Sequence, residues 1–276
     1  MFHDLSFENI TIETPSDIES NYAIISINRP DRLNALTIPL VEEISTALKR
    51  CELEPEIRAV VLRGTKNYTK KPAFSVGADL GNAYPKGIKP NVPMHMSYFI
   101  QMFHREFDAY NEFSKPLIAA VDGFALGGGF EITLTCDFVI ASKRSLFGLT
   151  EINRGLFPAG GGTQRLAKKI GISRAFRVLY FGETFSAEQM FKWGHVDFLA
   201  NDDQFEEMVH EKVKWLGNAP TTALFSMKKC LKYGTRCEQL GLIMEQLGAG
   251  INSVSHDREE AKNAFAEKRA PQYKRY

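Results

Sequence analysis

Several things are scarce in this sequence. The chain of 276 residues has only four cysteines, at 51, 136, 230 and 237, and no two of them have the C-x-x-C spacing of a redox or zinc pair. No two histidines have metal-ligand spacing either, so a metal site is not indicated. Free thiols in a reducing compartment are expected. Neither charge is in excess: 34 basic residues face 33 acidic ones, for a net charge of +1, which argues against a polyanion as whole-chain partner. No apolar run approaches bilayer length. The first Lys or Arg is Arg29, preceded by Asp4, Glu8, Glu13, Asp17 and Glu19, so neither a secretory signal nor an arginine-rich transit peptide is legible. A cytosolic protein is the expectation.

Apolar residues make up 44% of the chain, enough for a sizeable core, and with 20 phenylalanines part of that core, or a ligand pocket, is expected to be aromatic. The length suits one large domain, or one with an appendage. "YAIISIN" (22–28), "IRAVVLRG" (57–64), "PLIAAVDG" (116–123) and "DFVIAS" (137–142) read as strands, and "HVDFLA" (195–200) as a last one. "TIPLVEEISTALKRCE" reads as a helix capped by Thr37, with Leu40, Ile44 and Leu48 on one face. Alternation of strands and helices predicts an α/β core. Thr163, Ser173 and Ser186 are expected N-caps of three short helices ending at Gly171, Gly182 and Gly194, and Ser186 with Gln189 forms a capping box. From about residue 204 the chain reads as helices broken at Gly217, at Gly234 and near Ser255. "LGNAYPKGIKPNVPMHMSY" (80–98), with three prolines and two glycines, is expected to be a loop, either functional or a surface insertion.

The chemistry concentrates in "DGFALGGGFEITLTCD" (122–137). Glycines before a helix let a ligand approach the backbone and leave the first N–H groups unpaired and pointing outward at the positive end of the dipole. Phosphate or a carbonyl oxygen gaining charge can occupy such a site. A dinucleotide fingerprint would need glycine at 132, which is Ile132, so phosphate is the weaker reading. An oxyanion site needs a second donor. "AFSVGADL" (73–80) turns at Gly77 and offers the N–H of Ala78, with Asp79 supporting the turn through its backbone. Glu131 sits in the first turn after the glycines, and Glu151 precedes a second run, Gly160 to Gly162. Alone, each acid reads as a dipole partner or a solvated loop acid. Two acids, each beside glycine-shaped backbone, carry more weight together than either does alone.

"RPDRLNAL" (29–36), "FSVGADL", "KPLIAAVDGFALGGGFEI", "FGLTEINRGLFPAGGGTQRL" and "AFAEKRAPQY" (264–273), in that order, resemble the enoyl-CoA hydratase/isomerase (crotonase) family over nearly the whole chain. The resemblance implies a crotonase-like α/β fold: a spiral of β-β-α units over 1–203 carrying the CoA-thioester site, and a helical trimerisation section over 204–276. It implies a homotrimer or a dimer of trimers. It implies an oxyanion hole from the N–H groups of Ala78 and Gly128, with Glu131 activating water and Glu151 donating a proton to C2. The acyl-CoA contacts it implies are Arg32, Leu33, Ala35, Ala78, Asp79, Leu80 and Gly128, with Phe265 and Lys268 reaching a neighbouring subunit's CoA. Coenzyme A is part of the substrate, so no separate cofactor is implied. Asp31 departs from the pattern, standing where a basic residue is frequent; Lys66, Lys70 and Lys71 are alternative phosphate contacts, or simply a solvated loop.

The activity implied is reversible syn hydration of a 2-enoyl-CoA. Its rivals are an enoyl-CoA isomerase, a hydratase of cyclic or branched thioesters, and a non-enzymatic CoA- or RNA-binding relative. Tyr84, Met94, Met96 and Phe99 are candidates for the acyl pocket, and His95 and His104 flank the variable loop without belonging to a motif. His195, Asp137 and Cys136 read as structural, and Trp193 as packing the C-terminal helices.

Overall fold

The computed structural model describes residues 6–15, 21–79, 81, 84–234 and 238–273, with backbone alone at 238–241. Leu80 and Cys237 therefore lie outside the described residues.

Three consecutive turns of chain repeat one pattern: a strand in a large sheet, a short strand in a second sheet, then a helix. They are β3 (Ala59–Gly64), β4 (Ala73–Ser75) and α2 (Pro93–Glu112); β5 (Leu117–Val121), β6 (Phe124–Leu126) and α3 (Gly128–Thr133); and β7 (Phe138–Ser142), β8 (Leu146–Gly148) and α4 (Gly162–Ile170). Before them come β1 (Ile10–Glu13), β2 (Tyr22–Ile27) and α1 (Ile38–Leu53). After them come α5 (Ile172–Phe181), β9 (Phe185–Ser186), α6 (Ala187–Trp193) and β10 (Phe198–Ala200). The larger sheet has the order β1-β2-β3-β5-β7-β10, and the smaller β4-β6-β8-β9. All pairings are parallel except β1 with β2 and β8 with β9. This is the β-β-α spiral that the family resemblance implies.

Near-continuous apolar runs suit β3, β5 and β7 because both faces of the large sheet are covered. Val60, Leu62, Leu117, Ala119 and Val139 face the main core with α1 and α2. Their alternates Ala59, Val61, Ile118, Ala120 and Ile140 face α7 (Phe205–Gly217) through Phe205, Val209, Val213 and Leu216. The chain then continues in helices: α8 (Thr221–Lys229), a π-turn over Cys230–Gly234, α9 (Glu238–Ser253) and α10 (His256–Glu267). Their breaks match those read from the sequence. Among the described residues no helix is long and apolar enough to cross a membrane.

Some local expectations hold and others need correction. Thr37 Oγ1 accepts from the Leu40 N–H at 3.4 Å, and Ser186 Oγ from the Gln189 N–H at 3.2 Å. Thr163 and Ser173 are not caps: α4 and α5 start after Gly161 (φ 104°) and Gly171 (φ 82°), whose positive φ supplies the turn that the hydroxyls were expected to make. Residues 80–98 are not all loop. Pro93 opens α2 at a position where a missing N–H costs nothing. Trp193 packs on Phe185 (5.0 Å between ring centroids) and under Arg174, not on the C-terminal helices.

His195 is fully buried between Phe130 and Phe147, with Nε2 3.0 Å from Thr133 Oγ1. Burial lowers its pKa to about 3, so it is neutral and structural. Asp137 accepts from the Leu117 N–H (2.8 Å) and pairs with Lys228, and Cys136 is buried, as expected of both.

Candidate active site

The "RPDRLNAL" turn begins the site. Pro30–Arg32 form a 3-10 turn, and Leu33 and Asn34 follow with positive φ (50° and 57°). Asn34 tolerates that region and is fully used: its Oδ1 accepts from the Arg29 N–H at 2.9 Å and its Nδ2 donates to Ala73 O at 2.7 Å. Arg29 in turn pairs with Asp79 at 3.0 Å and donates to Ala35 O. The turn is thus clamped to the 73–79 segment. Asp79 supports it through its side chain as well as its backbone, which donates to Leu36 O at 2.9 Å.

Gly77 (φ 86°) bends the chain after β4 so that a bridge between Leu36 and Ala78 can form. A Cβ on Gly77 would lie 2.9 Å from Leu126 O and 3.0 Å from Gly128 N, so the two glycine turns meet backbone to backbone. Gly77 N–H goes to Ser75 Oγ, Asp79 N–H to Leu36 O and Gly127 N–H to Gly148 O. Between them, the N–H groups of Ala78 and Gly128 take no part in the backbone bonding among the described residues outside the helices and strands, and Gly128 is the first residue of α3. Both residues border one cavity of about 1120 Å³.

Glu131 is buried in α3. Its Oε1 accepts from the Gly162 N–H at 2.7 Å. Burial pushes this carboxyl up to about 7; the Gly162 and Gly160 amides oppose that, and the Glu151 charge adds to it. The carboxylate needs glycine around it, because a Cβ on Gly160 would overlap Glu131 Oε2 and one on Gly162 would come within 2.9 Å of Oε1. Arg165 fixes this turn by donating to Gly160 O at 2.8 Å while holding Asp108 at 2.5 Å. Glu151 opens a 3-10 turn after β8, and its Oε1 lies 3.1 Å from where a Cβ on Gly127 would be. Its Oε2 is buried without a hydrogen-bond partner among the described residues, and burial raises its pKa too.

The cavity is bordered by Arg32, Leu33, Ala35, Ala78, Asp79, Gly128, Glu131 and Glu151, which the structure brings together from four separate segments. Tyr84, Met96, Phe99 and His104 border it as well. Met94 does not; it is 75% exposed, because the first turn of α2 points it outward. His95 accepts from the Lys89 N–H instead. Phe265 and Lys268 lie away from this cavity, with Phe265 88% exposed. Lys66, Lys70 and Lys71 are not among its lining residues either; Lys66 pairs with Glu206 at 2.7 Å beside a separate small cavity. The sequence reading missed Phe103 and Phe107, two more rings of α2 on the cavity wall, and the amides of Gly160 and Gly162 that hold Glu131. The spacing of Phe99, Phe103 and Phe107 was the available signal, since residues four apart share a helix face.

The profile of the family described as enoyl-CoA hydratase/isomerase matches residues 17–276. The chain belongs to this family. It is 30% identical over 267 residues to a short-chain-enoyl-CoA hydratase of Clostridium acetobutylicum, covering 96% of this chain and 97% of that one. It is 32% identical to a 2,3-dehydroadipyl-CoA hydratase of Escherichia coli, covering 91% and 94%. The crystal structure of an enoyl-CoA hydratase from Bacillus anthracis superposes with a TM-score of 0.87 at 32% identity, covering 97% of this chain and 99% of that one. The fold is that of the crotonases.

The raised Glu131 pKa has a measurable consequence. Between 4.5, its ordinary value, and about 7, the folded state binds a proton that the unfolded state has lost. Stability from this group is therefore complete at low pH and declines as pH rises through 7. Glu131→Gln removes the charge and keeps an acceptor for Gly162. Relative to wild type, the variant is expected to gain stability between pH 4.5 and 8, by roughly 3 kcal/mol if the whole shift is realised. Urea unfolding at the two pH values checks this; a pH-independent difference would contradict it.

Proposed function

We propose that the chain is a hydro-lyase that adds water reversibly, in the syn sense, across C2–C3 of a 2-enoyl-CoA thioester to give a 3-hydroxyacyl-CoA. The supporting observation is that two adjacent amides, neither of them in the backbone bonding outside helices and strands among the described residues, and two carboxyls of raised pKa border one cavity. The thioester oxygen binds between the Ala78 and Gly128 N–H groups, which stabilise the enolate-like charge formed when C3 is attacked. Arg32, Leu33, Ala35 and Asp79 border the path of the CoA moiety, and Leu80 completes this contact set from the family resemblance. No cofactor is part of this reading.

Two neighbouring acids of raised pKa share a proton. As the family resemblance implies, we assign the ionised form in the substrate complex to Glu131 and the protonated form to Glu151; in the free protein burial favours a proton on each, and the Gly162 N–H is what stabilises the Glu131 carboxylate once it ionises. Glu131 takes a proton from water as its oxygen bonds to C3. Glu151 gives its proton to C2, and exchange through solvent resets the pair.

We also propose that copies of the chain assemble as a trimer or a pair of trimers through residues 204–276. Support comes from Leu231, Leu247, Ile251 and Val254, all apolar and more than half exposed. Phe265 and Lys268 would then be free to reach a neighbour's CoA. A cytosolic setting fits the free cysteines Cys51, Cys136 and Cys230.

Incubation with crotonyl-CoA in heavy-oxygen water tests the reaction. The expected product has gained one water and carries the label. Double-bond migration in a 3-enoyl-CoA with no labelled product would make the chain an isomerase instead.

A further inference from the structure

The acyl end of the cavity suggests which thioester this chain takes, an inference that rests on the hydratase reading above. Phe99, Phe103 and Phe107 follow one another on one face of α2, with ring centroids 5.2 Å and 5.8 Å apart in steep edge contacts. Tyr84 extends the row, 5.0 Å beyond Phe99. All four rings border the cavity. The inner end of the row meets the reacting groups: Phe107 Cε2 lies 2.7 Å from where a Cβ on Gly160 would be, the same point that Glu131 Oε2 crowds. From Phe107 to Phe99 the helix rises by ~12 Å. Met96 and Ile100, both half-buried, add flexible apolar wall at the outer end. α2 contributes no Lys, Arg, Asp or Glu to this lining.

We propose that the acyl group is an unbranched chain of medium length, lying along this row, and that Phe99, Phe103 and Tyr84 set the preference. A crotonyl group has one methyl beyond C3 and would leave the outer rings without apolar contacts. A planar aryl group would use only part of the row.

The experiment compares crotonyl-, 2-decenoyl- and cinnamoyl-CoA as substrates, and butyryl- and decanoyl-CoA as non-reacting ligands by calorimetry. Hydration of 2-decenoyl-CoA with kcat/KM at least about tenfold above the other two is expected, as each buried methylene adds to binding. Decanoyl-CoA should bind at least about tenfold tighter than butyryl-CoA on the same ground. Met96→Trp and Ile100→Trp fill the outer end from half-buried positions, and each should lower the decenoyl-to-crotonyl ratio about tenfold. Crotonyl- or cinnamoyl-CoA turning over as well as 2-decenoyl-CoA would overturn the inference, as would a ratio unmoved in both variants. Tighter decanoyl binding with no hydration of any thioester would sustain the tail inference and overturn the hydratase reading.

Discussion

Glu131→Gln and Glu151→Gln are each expected to lower kcat for crotonyl-CoA hydration by about 10³-fold, within the range of ~10²–10⁴ that a positioned acid or base contributes. KM should change little, because neither side chain is assigned to hold the CoA moiety. Both amides are close to isosteric with the acids they replace. In Glu131→Gln the new amide oxygen can still accept from the Gly162 N–H, so a fold change is not the expected cause. The double variant should be about as slow as either single one, since both acids are assigned to one water and removing the second takes away little that remains. Loss of enoyl-thioester absorbance in stopped-flow measures all three. Retention of hydration within about tenfold of wild type in both single variants would contradict the assignment.

Gly77→Ala is expected to cost about 10²–10³ in kcat by moving one oxyanion donor. Its φ of 86° is unfavourable for any residue with a Cβ, and that Cβ would press on Leu126 O and Gly128 N. Both atoms are backbone, so the strain passes directly into the Ala78–Gly128 pair. Gly171→Ala separates the two effects. Gly171 has nearly the same φ, 82°, yet a Cβ there meets nothing within 4 Å, and the residue is not part of the cavity lining. With ψ at 152° it lies in a region essentially restricted to glycine, so the variant should lose about 1–3 kcal/mol of stability and keep its kcat. A Gly77→Ala enzyme no slower than the Gly171→Ala enzyme would show that the amide pair does not carry the oxyanion charge.

The site was legible in pieces. Glycine runs mark places where backbone must approach something closely, and "GGGFE" and "FSVGAD" both do so in the structure, against each other. Glu131 and Glu151 were visible because each stands beside such a run. The Pro-rich text before residue 93 hid the start of α2, since proline reads as a breaker unless it falls at a helix's first position. Phe103 and Phe107 went unnamed for want of that helix, although their four-residue spacing from Phe99 was in plain view. Thr163 and Ser173 misled for a related reason: a hydroxyl can cap a helix, but glycine with positive φ already ends the preceding turn there.

The amino-acid order alone determined the alternation of buried strands and helices, the glycine turns, the helical C-terminal stretch and the kinds of groups available for chemistry. These follow from local periodicity and backbone sterics, which act over a few residues. Only the tertiary structure decided which groups share a space. Contact among residues 32–36, 77–79, 128–131 and 151–162 depends on the parallel register of two sheets, and parallel register is set by packing between segments far apart in the chain. The pKa of Glu131 belongs to the same class, because the burial that raises it is supplied by residues on other elements.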